Sequence, residues 1–267
     1  MKVLVIFALV LAYASGSVLH DELKIESSNM WNNRNISIIN GHDASPGQFP
    51  YQAGLIMDKV EKFSFCGGSL INNNWILTAA HCTHGAHVVS ILLGSVLLNE
   101  SKVTLIVQEK DIFVHENWNA TLRTNDISLI RIPYVDYNKD IQPVKLPKIQ
   151  SRNETYARNE SIASGWGRTS NADFTYILQY AKVKIMSNNL CKIYFPYKII
   201  SSNLCTFTNN ATPCFGDSGG PLVESSNLVQ VGISAFTSVK CSQGTPAVFT
   251  RVTSFLDWIK DHTGMIF

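Results

Sequence analysis

"TPCFGDSGGP", Thr212 to Pro221, sets one serine, one acid, one cysteine and three glycines within ten residues. A serine hydroxyl is a weak nucleophile near neutral pH, so Ser218 needs a base to be reactive. The glycines have a physical use around such a serine. A glycine relieves the crowding of a tight turn, and a side chain at Gly216 would obstruct a turn around Ser218. The stretch by itself does not distinguish a reactive serine from an ordinary glycine-rich turn.

Two distant segments supply what Ser218 lacks. "LTAAHC" carries His81 directly before Cys82, and "NDISLI" opens on Asp126 ahead of an apolar run. An imidazole near its ordinary pKa can take the serine proton and return it to a leaving group. A buried carboxylate can hold that imidazole in the required tautomer and stabilise its cation. The three residues are far apart in sequence, so only a fold can assemble them.

The remaining sequence describes the setting. "MKVLVIFALVLAYASGS" has a lysine, an apolar run from Val3 to Ala14 and then small residues, the pattern of a secretory leader, residues 1–16, with cleavage expected between Ala14 and Ser17. The run is too short to span a bilayer, which needs about 20 residues. Residues 17–37 are polar, lack periodicity and read as a pro-segment. An exported chain with six cysteines suggests disulfides, whose pairing the sequence alone leaves open. Sequons at Asn35, Asn99, Asn119, Asn153, Asn159 and Asn210 are candidate glycan sites. The net charge is +2 without runs of like sign, so neither a nucleic-acid face nor a membrane patch is expected. Short Val-, Ile- and Leu-rich segments separated by turn residues, such as "VVSILLGSVLL" and "LQYAKVKIM", indicate an all-β sandwich or barrel. Val252, Phe255, Leu256 and Ile259 follow helical spacing, predicting a C-terminal helix over about 252–262.

Taken together, "LTAAHC", "NDISLI", "SGWG" and "CFGDSGGP", in that order, resemble the marker segments of the chymotrypsin-like (trypsin-fold) serine proteases. Within them "QFPYQAGL", "TPCFGDSGGP" and "RVTSFLDWI" look most like the insect chymotrypsin-like and brachyurin-type, collagen-cutting group. The resemblance runs from Ile38 to the C-terminal helix. It implies two six-stranded antiparallel β-barrels, about 38–145 and 146–250, with the active site between them. It also implies a triad of Ser218, His81 and Asp126, an oxyanion hole from the Gly216 and Ser218 N–H groups, and the disulfides Cys66–Cys82, Cys191–Cys205 and Cys214–Cys241. Each disulfide would contribute ~2–4 kcal/mol. The chain would then be a monomeric secreted endopeptidase, made as a zymogen, acting on proteins or peptides without cofactor or metal.

Three features depart from, or specify, that pattern. The family activates by freeing the amine of Ile38 in "IING" to pair with Asp217, yet Ser37 stands where a basic residue is usual, and Arg34 lies three positions earlier. In the specificity pocket, Thr212 replaces the acid that selects Arg or Lys, Thr237 narrows one wall and Ala247 leaves room on the other, implying neutral, apolar preference. Ala235 stands where a serine usually supports the triad acid. That change, with the unusual activation site, keeps a second reading open: a weak or inactive homologue serving as a secreted binding protein or toxin. A zinc site in "HCTHGAH" (His81, Cys82, His84, His87) is disfavoured, because an oxidised Cys82 offers no thiolate.

Overall fold

A computed structural model describes residues 41–60, 62–167, 175–207, 213–214, 216–238, 241 and 245–267. The leader and pro-segment, Ile38, Thr212, and the sequons at Asn35 and Asn210 lie outside the described residues.

The polypeptide forms two antiparallel β-units. In the first, β2 (Gln52–Lys59), β3 (Lys62–Asn72), β4 (Trp75–Thr78), β5 (Ala86–Leu93), β6 (Val103–Gln108), β7 (Ile112–Val114) and β8 (Ser128–Arg131) pair in the order β6-β5-β2-β3-β4-β8-β7. In the second, β9 (Glu160–Gly165), β10 (Gln179–Met186), β11 (Asn203–Phe207), β12 (Pro221–Glu224), β13 (Val229–Phe236) and β14 (Ala247–Arg251) close into a six-stranded barrel, β9 pairing with both β10 and β12. The expected all-β architecture is present, with one refinement. The first unit is a curled seven-stranded sheet, and only the second closes by hydrogen bonding among the described residues.

Alternation explains the strands. In β10, Gln179, Ala181, Val183 and Ile185 point inward while Lys182 and Lys184 are exposed, the period-2 pattern of a strand covered on one face. The first core gathers Leu55, Leu70, Ile76, Ile91, Ile127 and Leu129, all fully buried. The second is built around Phe249, Leu204, Leu222 and Val231. Each such side chain contributes about 1.5–3 kcal/mol by leaving water.

Two chain segments, among other contacts, cross between the units. The short β1 (His42–Asp43) pairs with Tyr180 and Gln179 of β10, so the start of the described chain is stitched to the second barrel. The C-terminal segment returns to the first core, where Val252, Phe255, Leu256 and Ile259 are buried. Its helix starts later than the spacing predicts. Val252–Phe255 form a 3₁₀ turn, and the α-helix proper covers Leu256–Thr263, ending on Gly264 at φ +70°. The apolar spacing is the same for both, because the tighter turn also presents residues three apart on one side. Among the described residues no helix is long and apolar enough to cross a membrane.

Candidate active site

His81 lies on a single helical turn, α1 (Ala80–Thr83), entered directly from β4. The next residue, Cys82, is bonded to Cys66 of β3, which ties the turn to the sheet. Asp126 enters from a different place, just ahead of β8. The preceding Asn125 takes φ +54° and donates its side-chain amide to the Asn117 carbonyl at 2.8 Å. These supports bring the two side chains together. Asp126 Oδ2 is 2.7 Å from His81 Nδ1, and Asp126 Oδ1 accepts the His81 backbone N–H at 2.9 Å. The carboxylate is 1% exposed and the imidazole 18%. An ionised carboxylate only accepts hydrogen bonds, so the 2.7 Å contact assigns the proton to Nδ1 and leaves Nε2 as the basic edge.

Ser218 and His81 line one cleft of about 670 Å³. There is no hydrogen bond between the hydroxyl and the imidazole, a frequent condition before substrate tightens such a pair. The backbone at Ser218 is held across the two units, since its carbonyl accepts the Gly67 N–H at 2.7 Å. Behind it, Gly219 N–H donates to Ser234 O at 2.8 Å, and Ser234 N–H donates to Gly220 O at 2.9 Å. Gly216 takes φ +95°, a conformation that side chains rarely adopt, in the turn leading to Ser218.

Asp217 points away from the cleft into the protein. Its carboxylate accepts the Gly167 N–H and the Cys214 N–H, each at 2.9 Å. Burial pushes its pKa up to about 7, against the opposing pull of those two N–H groups. Here "SGWG" acquires a physical meaning. A Cβ at Gly165 would sit 2.2 Å from the Asp217 carboxylate, and one at Gly167 would sit 2.6 Å from it. Both glycines are required for the acid to lie where it does.

Thr237 and Ala247 line the cleft together with Pro213, Cys214 and Phe236. Thr212 falls outside the described residues, so the base of the pocket has no description. Sequence reasoning missed Ser234, whose position also lines the cleft. Its neighbours Ala235, Phe236 and Thr237 line the same cleft, where the register of β13 shifts between Ser234 and Phe236, an irregularity that alternation does not show. Ala235 is buried. Thr250 Oγ1 donates to the Asp126 main-chain carbonyl at 2.8 Å, and among the described residues the carboxylate itself has only His81 as a partner.

The remaining disulfides join Cys191 to Cys205 and Cys214 to Cys241. Cys66, Cys82 and His81 form a tight group of possible metal ligands, but the first two are bonded to each other and cannot serve as thiolates. His84 and His87 are exposed, and His87 faces Glu109 at 3.2 Å.

Residues 38–259 match the family model described as Trypsin. The chain belongs to the trypsin family. It is accordingly a chymotrypsin-like serine endopeptidase, and its substrates are proteins. Over 271 residues, covering the whole of both chains, this trypsin-family member is 42% identical to a collagenase of Hypoderma lineatum. It is 39% identical to brachyurin of Leptuca pugilator, covering 85% of this chain and 99% of that one, and 40% identical to chymotrypsin-2 of Vespa crabro, covering 84% and 98%. The solved structure of HL collagenase matches with a TM-score of 0.82 at 41% identity, covering 86% of this chain and all of that one.

Proposed function

We propose that Ser218 is the nucleophile, His81 the general base and acid, and Asp126 the residue that orients the imidazole. Ser218 attacks a peptide carbonyl while His81 Nε2 takes its proton. The tetrahedral oxyanion is received by the N–H groups of Gly216 and Ser218. His81 then gives its proton to the leaving amine, and an acyl-enzyme remains for water to hydrolyse. The observation that carries this reading is the 2.7 Å contact between buried Asp126 and His81 in the cleft that Ser218 lines.

The chain is made as a secreted zymogen with leader 1–16 and pro-segment 17–37, and it acts as a monomer away from membranes and nucleic acid. Release of the Ile38 amine gives Asp217 a cation. A buried acid with two N–H partners and no cation among the described residues is suited to receive one. Pairing then fixes the oxyanion turn. Because Ser37 precedes Ile38, the activating cut is made by a non-tryptic protease, or by a cut followed by trimming. The neutral pocket takes apolar residues, and the likeness to a collagenase supports collagen among the substrates. Asn99, Asn119, Asn153 and Asn159 are exposed and open to glycosylation.

Ala235 is the observation that favours the alternative, a homologue with little activity that binds its partners instead. Processed protein offered peptides that differ only in Phe, Leu, Ala or Arg before the cut separates the readings. Turnover with Phe or Leu foremost supports the enzyme. A dominant Arg rate contradicts the pocket, and no turnover supports the binder.

A further inference from the structure

Among the described residues, the two walls of the cleft carry cations and no acid. One wall is the loop Thr121–Thr124, which runs into Asp126 and includes Arg123. The other includes Tyr197, Lys198 and Ile200. Phe195 packs edge-on against Phe236 at 5.7 Å, which seats the second wall over the end of β13. Some cations elsewhere on the surface are matched: Lys102 pairs with Asp140, Arg131 with Asp111, and Arg152 with Asp257. Arg123 and Lys198 are exposed and have no side-chain partner among the described residues. No Asp or Glu is among the described residues that line the cleft. A concave site with one sign of charge on both walls concentrates its field in the space between them.

We infer that Arg123 and Lys198 together select substrates with an acidic side chain shortly before the residue that fills the pocket. This rests on the proposed protease reading, in which substrate lies extended along Ala235–Thr237 as an added strand. The residues preceding the cut then pass between the two walls. A Glu or Asp there meets one or both cations, and a Lys meets repulsion. The neutral primary pocket and the basic walls thus read different residues of the same substrate. Because both cations are in water, each interaction is modest and salt-sensitive.

The test uses processed protein and peptides identical except for Glu, Gln or Lys at each of the three positions before the pocket residue. At low salt, kcat/KM for the best Glu peptide is expected to exceed that of its Lys counterpart about tenfold. The ratio should fall toward one near 1 M salt, where charges are screened beyond ~3 Å. It should fall likewise in the double variant Arg123→Gln, Lys198→Gln. Each ratio is taken within one variant, so partial misfolding lowers both rates and leaves the comparison valid. Good turnover of Gln peptides with no Glu preference, or a preference that survives in the double variant, overturns the inference. Absence of all turnover together with no fluorophosphonate labelling of Ser218 overturns the protease reading itself, and the inference with it.

Discussion

The Asp217 carboxylate accepts the Gly167 N–H at 2.9 Å in a space that only a glycine leaves open. The relationship ties two motifs 50 residues apart, "SGWG" and "GDSGG", into one device. Gly167→Ala should force the carboxylate out of position, since the added carbon would sit 2.6 Å from it. The expected cost is about 1–3 kcal/mol of stability from overpacking. A fall of about 10²–10³ in kcat should accompany it, the size of losing an oxyanion donor. Urea titration and peptide turnover measure the two, and near-normal turnover would contradict the linkage.

The uncut chain should lose stability as pH rises through the titration of Asp217. Burial raises its pKa from the ordinary 3.8 to about 7, so the folded state holds the proton more tightly than the unfolded one. Below about pH 4 both states are protonated and no penalty exists. Between about pH 4 and 7 stability falls, and above that the loss is constant, on the order of 4 kcal/mol. Urea unfolding of uncut Ser218→Ala protein should show this slope, and Asp217→Asn should flatten it. An unchanged slope in Asp217→Asn would place its origin elsewhere.

Asp126→Asn should leave the fold intact and lower kcat by about 10⁴, because an amide donor facing His81 Nδ1 favours the wrong tautomer. Stopped-assay kinetics on the processed variant measure this. A loss below tenfold would mean that the 2.7 Å contact does not orient the base.

Ala235→Ser should raise kcat by up to about tenfold by giving the Asp126 carboxylate a hydroxyl donor that no described residue supplies, about the size of a hydrogen bond to a charged group. KM should change little. An unchanged or lower kcat would show that the carboxylate is adequately held by His81 alone.

Removing the Cys66–Cys82 bond, as Cys66→Ala with Cys82→Ala, should cost ~2–4 kcal/mol of stability. It should also lower kcat more than it raises KM, because the bond anchors the turn that carries His81. Thermal unfolding and kinetics together separate the two effects.

Much of the architecture is legible in the sequence because strands declare themselves locally. The inward faces of β10 follow directly from its alternation, and the family resemblance of the motifs implies the pairing of His81 with Asp126. What is not legible depends on distant partners. Two residues, His42 and Asp43, carry no periodicity, yet they pair with β10. The onset of the C-terminal helix at Leu256 is hidden because the 3₁₀ turn before it buries Val252 and Phe255 in the same pattern. The charge on the cleft walls is likewise invisible until Arg123 and Lys198, 75 residues apart, are seen to line one space.

The most direct test of the central claim is the site of fluorophosphonate attachment in protein whose new N-terminus is Ile38. Peptide mass spectrometry should find the adduct on Ser218, formed rapidly in the processed protein, slowly in the uncut chain, and hardly at all in His81→Ala. Correctly processed protein that takes no label, or that labels equally well in His81→Ala, would contradict the account.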